Sequence, residues 1–520
     1  MRLYLIILYS LISAFFVSGS DKPNIIFILV DDMGYSDIGC YGGEVATPHL
    51  DSLAENGLRF TQMHNTSKCF PTRACLLTGL YAQQNGMHAK YKRFTNSVTL
   101  GEVLKGAGYR TLASGKHHSQ ESLFDRGFDR YFGLLDGATN HFNPGVQREG
   151  EVDPARKTIN GRGWAIDDKT LRPYTPPEKD FYSTDSYTDY ALDYLEEYKG
   201  EDKPFFLYLS YTAPHDPLHA WPEDIAKYLD TYEVGYETIR SARYEKMKRL
   251  GLVDELSPLS EATHGKWDSL SDRQRKIEVR KMAVYAAMID RVDQNIGRLI
   301  AKLKELGEFE NTMIMFASDN GSSAENAEKQ GNKETPRVED GNDIELIGTM
   351  GYWASLLEDW ANVSNTPFRR YKVNSYQGGL CTPFVVHWPA GIEAKPGSIN
   401  STFTGHFIDV MPTLLEITGA EYPSEHRGEH VFPMAGESFL SQLKGEESQR
   451  SSPLFWQWKK TKAVRHEKWK ALDNGKGWEL YDMSQDLTET VNLAEQYPEK
   501  LTQLIGMHEA WYASTPAGKE

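Results

Sequence analysis

From Asn24 the chain reads Ile25-Ile26-Phe27-Ile28-Leu29-Val30 and then turns acidic at Asp31-Asp32-Met33-Gly34. An apolar run without polar alternation predicts a strand covered on both faces, as in parallel sheets, with the carboxylates at its C-terminal end. The punctuation recurs. A short strand at 109–113, after an amphipathic helix at 100–107, runs into Gly115-Lys116-His117-His118. Another at 205–210 ends in Ala213-Pro214-His215-Asp216-Pro217, and a third at 312–317 ends in Ser318-Asp319-Asn320-Gly321. Apolar residues at three- and four-residue spacing (Met288, Ile289, Val292, Ile296, Leu299, Ile300, Leu303) predict a helix over 281–306, stopped by Gly307. Buried strands that each end in ionisable or amide residues predict one sheet with a site along one edge.

Beyond residue 420 the pattern changes. Short strand-like runs at 453–458, 463–465, 468–472 and 478–482 precede a helix near 499–512. The expected fold is therefore α/β: a large mixed, mostly parallel sheet flanked by helices over 21–420, and a smaller α+β subdomain with an antiparallel sheet over 421–520. Two segments, 136–180 (Gly, Pro, Asn and charge) and 218–272 (charged, mostly helical), follow strand ends and are expected to wall the site. The run Phe455-Trp456-Gln457-Trp458 reads either as a sugar-stacking platform or, more commonly at this aromatic density, as core.

With 520 residues, 40% hydrophobic and 25% charged, the composition is globular. A formal charge of −16 argues against a general nucleic-acid or anionic-membrane binder, so an anionic substrate needs a local basic pocket. Arg2, an apolar run over 3–17 and Ser18-Gly19-Ser20 read as a signal peptide over 1–20, cut before Asp21. The run is short for a membrane span, so an exported protein, periplasmic or secreted and with no membrane insertion after signal removal, is expected. Cys40, Cys69, Cys75 and Cys381 in an exported chain suggest up to two disulfides, or at most one with a leftover thiol if Cys69 is modified. Asn65, Asn362 and Asn400 stand in glycosylation sequons, with Asn65 expected to stay unmodified.

The chain's chemistry centres on the stretch from Thr66 to Gly79, where a polar loop becomes a helical run at 72–82. Cys69 at this helix start would sit where free N–H groups and the helix dipole favour an anion. Arg73, one turn on, can reach back with a forked donor, and Pro71 fits the first turn. A buried small hydrophobe is the plain structural reading of such a cysteine. The cysteine-phosphatase spacing is excluded, because three residues rather than five separate Cys69 from Arg73.

Cys69-Phe70-Pro71-Thr72-Arg73 with Leu77-Thr78-Gly79 resembles the signature of the type I sulfatases, Cys-x-Pro-x-Arg with a Leu-Thr-Gly tail. The resemblance extends to Asp31-Asp32, Gly115-Lys116-His117-His118, His215, Ser318-Asp319-Asn320-Gly321, and the segment 360–372 ending in Lys372, much as in bacterial arylsulfatases. Taken singly, Lys116 and His118 read as surface loop, His215 as a rigid turn between prolines, and Asp319-Asn320-Gly321 as an ordinary turn. At matching strand ends they read together as a site.

The resemblance implies an alkaline-phosphatase-like fold and conversion of Cys69 to formylglycine by a maturation enzyme. It implies a Ca²⁺ ion, or Mg²⁺ in its place, held by Asp31, Asp32, Asp319, Asn320 and the converted Cys69; such hard ligands suit these ions better than zinc. Arg73, Lys116, His215 and Lys372 are implied to bind the sulfate. One hydroxyl of the aldehyde hydrate attacks sulfur, with Asp319 helping to deprotonate it. His215, with Lys372, protonates the leaving oxygen, and His118 takes the proton of the second hydroxyl as sulfate is expelled. The implied substrate is a sulfated small molecule or glycan, with carbohydrate favoured. A phosphonate or phosphodiester hydrolase, or a silent glycan binder, are the alternatives. Two departures bear on recognition: Gln377 stands where Glu is common, and His117-His118-Ser119-Gln120 where Trp-His-Leu-Gly is usual.

Overall fold

The computed structural model describes residues 22–156, 161–254, 257–328, 338 and 341–520; the expected signal peptide lies outside them. Its centre is an 11-stranded sheet. The strands are β1 (Asn24–Val30), β2 (Leu58–His64), β3 (Arg110–Gly115), β4 (Arg130–Leu134), β5 (Trp164–Ile166), β6 (Lys169–Leu171), β7 (Phe205–Ser210), β8 (Thr312–Ser318), β9 (Cys381–His387), β10 (Ser398–Asn400) and β11 (Gly405–His406). Their order is β10-β2-β9-β8-β1-β7-β3-β4-β5-β6, with β11 also on β2. The four parallel-sheet strands expected from the sequence, β8, β1, β7 and β3, lie side by side and parallel. Antiparallel β9 joins β8 to β2, which makes the sheet mixed.

Every residue of β1 is buried because the sheet separates two cores. Ile26, Ile28 and Val30 pack into the core that holds Met288, Ile289 and Val292 of the helix Asp272–Leu306. Ile25, Phe27 and Leu29 point the other way, into the core that holds Ala74, Leu76 and Leu77. Covered on both sides, the strand has no polar face to show. The long helix begins at Asp272 rather than at the expected residue 281, because the hydroxyl of Ser271 and Gln274 form a capping box at its start. The segment 136–180 is more than loop: β5 and β6 add to the sheet as antiparallel edge strands.

A short hairpin, β12 (Glu425–His426) and β13 (Glu429–His430), precedes the antiparallel sheet β14 (Leu454–Trp458), β15 (Thr461–His466), β16 (Trp469–Asp473) and β17 (Trp478–Asp482), followed by the helix Pro498–Ser514. The Trp-rich run is core. Trp456 is 3% exposed and its Nε1 donates to the Asn65 carbonyl (2.8 Å), while Trp458 packs edge-on against Phe70. Lys470 and Glu489 form an ion pair at 2.5 Å with both side chains fully buried. Lys470 also donates to Gln377 Oε1 (3.2 Å), and Glu489 accepts from the Gln377 N–H (2.7 Å). Gln377 thus bridges the two members of a buried ion pair. Lys470→Ala would leave the Glu489 carboxylate buried and unpaired, and a loss of about 3–5 kcal/mol is expected. It would be read as a lower urea midpoint at unchanged slope; an unshifted midpoint would show that the pair does not matter.

None of the four cysteines is bridged and all are buried, so the expected disulfide does not form. Asn65 and Asn362 are both 0% exposed, as is Asn320, which also stands in an Asn-x-Ser sequon (Asn320-Gly321-Ser322), so of these four only Asn400 is within reach of solvent. Among the described residues no helix is long and apolar enough to cross a membrane.

Candidate active site

The chain turns at the C-terminal ends of the parallel strands, and each turn delivers one group of the site. Asp31 and Asp32 follow β1, Lys116 follows β3, and Asp319 and Asn320 follow β8. Beyond β7, His215 projects from a turn closed by its N–H on the Thr212 carbonyl (3.0 Å). The helix Cys69–Thr78 starts at Cys69 itself, three residues before the helical run read from sequence, and ends at Gly79 with φ 68°. Its entry is fixed by Thr66, whose N–H and hydroxyl both meet Thr72 Oγ1 at 3.0 and 2.8 Å.

Arg73, 1% exposed, crosses from that helix to the sheet edge. Its Nε and Nη2 reach Asp319 Oδ2 at 2.8 and 2.7 Å, and its Nη1 donates to the Lys116 carbonyl (2.8 Å) and to Ser210 Oγ. Lys116 Nζ pairs with Asp31. Lys372 Nζ lies 2.7 and 2.8 Å from the two oxygens of Asp32. His215 Nε2 approaches Asp32 Oδ2 at 3.5 Å while its Nδ1 meets the Asp216 carbonyl at 2.6 Å. The cations read as sulfate ligands therefore rest on the carboxylates read as metal ligands, a pairing that spacing along the chain cannot reveal.

Burial opposes the charge of Asp31, but Lys116, His215, Arg73 and Lys372 outweigh it and hold the carboxyl below its ordinary range. Asp319 goes the other way: burial, with Asp31 beside it, pushes it up to about 6. His215 is raised, since Asp32 and Asp31 overcome its burial, whereas burial beside Lys116 drives His118 well down. Burial also raises the Cys69 thiol despite Lys116 and Lys372, so the unconverted side chain is a poor thiolate nucleophile.

At this sheet edge three buried acceptor oxygens find no hydrogen-bond donor among the described residues: Asp31 Oδ1, Asp319 Oδ1 and Asn320 Oδ1. Orphaned acceptors are costly in a dry interior, and three oxygens at one sheet edge fit a hard divalent cation. Asp31, Asp32 and His215 also offer ligand atoms within 4.8 Å of one another. Imidazole was not among the ligands read from sequence.

In front of Cys69 opens a cavity of about 350 Å³ into which His118, His215 and Lys372 also face. Its mouth carries residues that sequence reading missed. Glu325 bridges Lys68 (3.0 Å) and Lys372 (3.2 Å), the latter holding its carboxyl well below the usual range. Beneath the acidic pair, the Tyr285 hydroxyl meets the Asp32 carbonyl (3.0 Å) and Asp37 (2.8 Å), and Asp37 is held by Arg243 (2.6 Å). Asp37, six residues past Asp31, carried no pattern of its own, and Tyr285 lies inside a helix whose apolar face explains it.

The profile described as Sulfatase matches residues 23–420, and that described as N-sulphoglucosamine sulphohydrolase, C-terminal, matches 370–509. The arylsulfatase of Klebsiella aerogenes is 36% identical, over 80% of this chain and 91% of its own. An uncharacterised sulfatase of Schizosaccharomyces pombe is 32% identical over 94% and 92%. The crystal structure of Ps i-CgsB in complex with k-i-k-neocarrahexaose superposes with a TM-score of 0.67 at 24% identity, covering 95% and 94% of the two chains. Matched along the strands that carry the site and through the C-terminal sheet, the chain belongs to the sulfatase family and is a sulfuric ester hydrolase.

Proposed function

We propose that the chain hydrolyses the sulfate ester of a sulfated carbohydrate after export, with residue 69 as formylglycine and a calcium ion at the sheet edge. The observation that carries this is the meeting of cationic side chains and three orphaned acceptor oxygens around Cys69. Asp31, Asp32, Asp319 and Asn320 would hold the ion, which when bound supplies positive charge to a sulfate oxygen. Formylglycine at 69 supplies, as its hydrate, an oxygen nucleophile with a second hydroxyl for release.

The rest is done by this chain's own side chains. Arg73, Lys116 and Lys372 set positive charge against the sulfate, and their existing ion pairs fix their positions before substrate arrives. His215 gives a proton to the leaving oxygen. Its Nδ1 contact to the Asp216 carbonyl directs Nε2 inward. His118, on the other wall, accepts the proton released at residue 69. A carbohydrate as the alcohol half draws support from the neocarrahexaose bound by the similarly folded Ps i-CgsB.

The test is a series of sulfate esters with leaving groups of rising pKa, with sulfate release measured for the matured protein and for His215→Asn. The variant is expected to lose about a hundredfold on a sulfated sugar and little on 4-nitrophenyl sulfate, whose phenolate leaves unaided. An equal loss on both would remove His215 as the acid. Faster cleavage of a phosphonate monoester than of any sulfate would overturn the choice of ester.

A further inference from the structure

The cavity before Cys69 is unequal in its two walls. Phe70 and Tyr91 form an aromatic side, their ring centroids 6.3 Å apart, and Tyr91 lies 5.0 Å from the His118 ring. Arg162, from the segment leading into β5, lines the same cavity and is half-buried. It stands close enough to Tyr91 for its charge to act on the phenol.

What separates Arg162 from the other cations is its pairing. Lys68 and Lys372 share Glu325, Lys372 also holds Asp32, Lys116 holds Asp31 and Arg73 holds Asp319. The acid nearest the aromatic wall, Asp136, is already engaged by Arg172 (2.9 Å), the Gly163 N–H (2.7 Å) and the Tyr91 hydroxyl (3.2 Å). Arg162 makes no hydrogen bond or ion pair among the described residues. A surface arginine of no consequence would be expected to fold onto the nearest carboxylate or lie along apolar surface in water. This one lies in the cavity wall with its fork unused among the described residues.

We propose that Arg162 is a specificity-determining residue that receives a second anionic group of the substrate, a carboxylate or a second sulfate, carried beside the sulfate that is cleaved. The inference rests on the sulfatase reading above. The cleaved sulfate is met by Arg73, Lys116 and Lys372 at Cys69, which leaves Arg162 for a different anion. A planar guanidinium takes either group through two parallel N–H···O bonds. Phe70 and Tyr91 offer apolar faces to the sugar ring between the two anions.

The experiment compares kcat/KM of the matured wild type, Arg162→Gln and Arg162→Lys on four substrates: 4-nitrophenyl sulfate, a monosulfated sugar, the same sugar with a second sulfate, and a uronate-containing disaccharide with one sulfate. Wild type is expected to prefer at least one dianionic substrate over the monosulfated sugar by about 10–100-fold. Arg162→Gln should erase that preference and leave 4-nitrophenyl sulfate within about twofold, and Arg162→Lys should keep part of it. Which dianion is preferred separates carboxylate from sulfate. A wild type indifferent to both, or a Gln variant equally slow on all four, overturns the proposal. Calorimetric binding of the same sugars to Cys69→Ala protein, with and without Arg162→Gln, reads the contact independently of turnover. Tighter binding of a dianion that Arg162→Gln abolishes upholds the role even where no sulfate is released, whereas binding unchanged by the substitution refutes it.

Discussion

Cys69→Ser is expected to lower multiple-turnover sulfate release by at least about 10⁴-fold, the scale of losing a nucleophile. The fold should survive, because the exchange is nearly isosteric at a site 2% exposed whose helix is held by Thr66 and Thr72 rather than by the thiol. The variant should not be inert. A serine hydroxyl beside Lys116 and Lys372 can attack sulfur once, but it has no second hydroxyl whose collapse would expel sulfate. Intact mass after incubation with substrate is therefore expected to show one added sulfuryl group on Cys69→Ser and none on Cys69→Ala. Sustained turnover by the serine variant would sink the requirement for a converted residue.

Metal removal comes second in size. Chelation of the matured protein is expected to cut sulfate release at least about a thousandfold, with recovery on adding calcium, since the site would lose its largest local charge. The chelated protein should stay folded: Lys116, Lys372 and Arg73 each hold one of the three carboxylates, so no bare acid is left. Calcium should still raise the thermal midpoint. An ion that binds only the folded state adds about 2.7 kcal/mol at a hundred times its Kd, and Asp31 Oδ1, Asp319 Oδ1 and Asn320 Oδ1 have no other donor among the described residues. Full activity in protein shown by elemental analysis to be metal-free would refute the calcium role.

The parallel strands β1, β7 and β8 were legible because burial on both faces leaves a nearly uninterrupted apolar signature, and their polar ends were legible as its interruptions; β3, Arg-Thr-Leu-Ala-Ser-Gly, was legible only from the helix and the Gly108 turn before it. Strand β2, Leu-Arg-Phe-Thr-Gln-Met-His, carries no such signature. Its polar residues are accommodated by specific partners, Gln62 by the Ser401 carbonyl and Arg465, and His64 by the Gly405 carbonyl and Gln377. The extension of the helix from residue 281 back to Asp272 was written in the capping box at Ser271. At the site, the residue types were readable and their mutual pairing was not. That Lys372 reaches Asp32 from 340 positions away is decided by the sheet order. Glu325, Tyr91 and Arg162 come from loops without pattern, and only the fold brings them to one cavity.

The bridge of Glu325 between Lys68 and Lys372 makes docking at this mouth an ion exchange. Under the proposed function, a sulfate that reaches Lys372 from solvent would replace an anion the protein already carries, so it would gain the difference between two ion pairs and not the whole of one. Free sulfate, with no ring to lay against Phe70 and Tyr91, gains least from the exchange. The carboxylate waits at 51% exposure to return. With Lys372 as a sulfate ligand, the resting protein would compete with its own product, and inorganic sulfate would not linger where the next ester must bind.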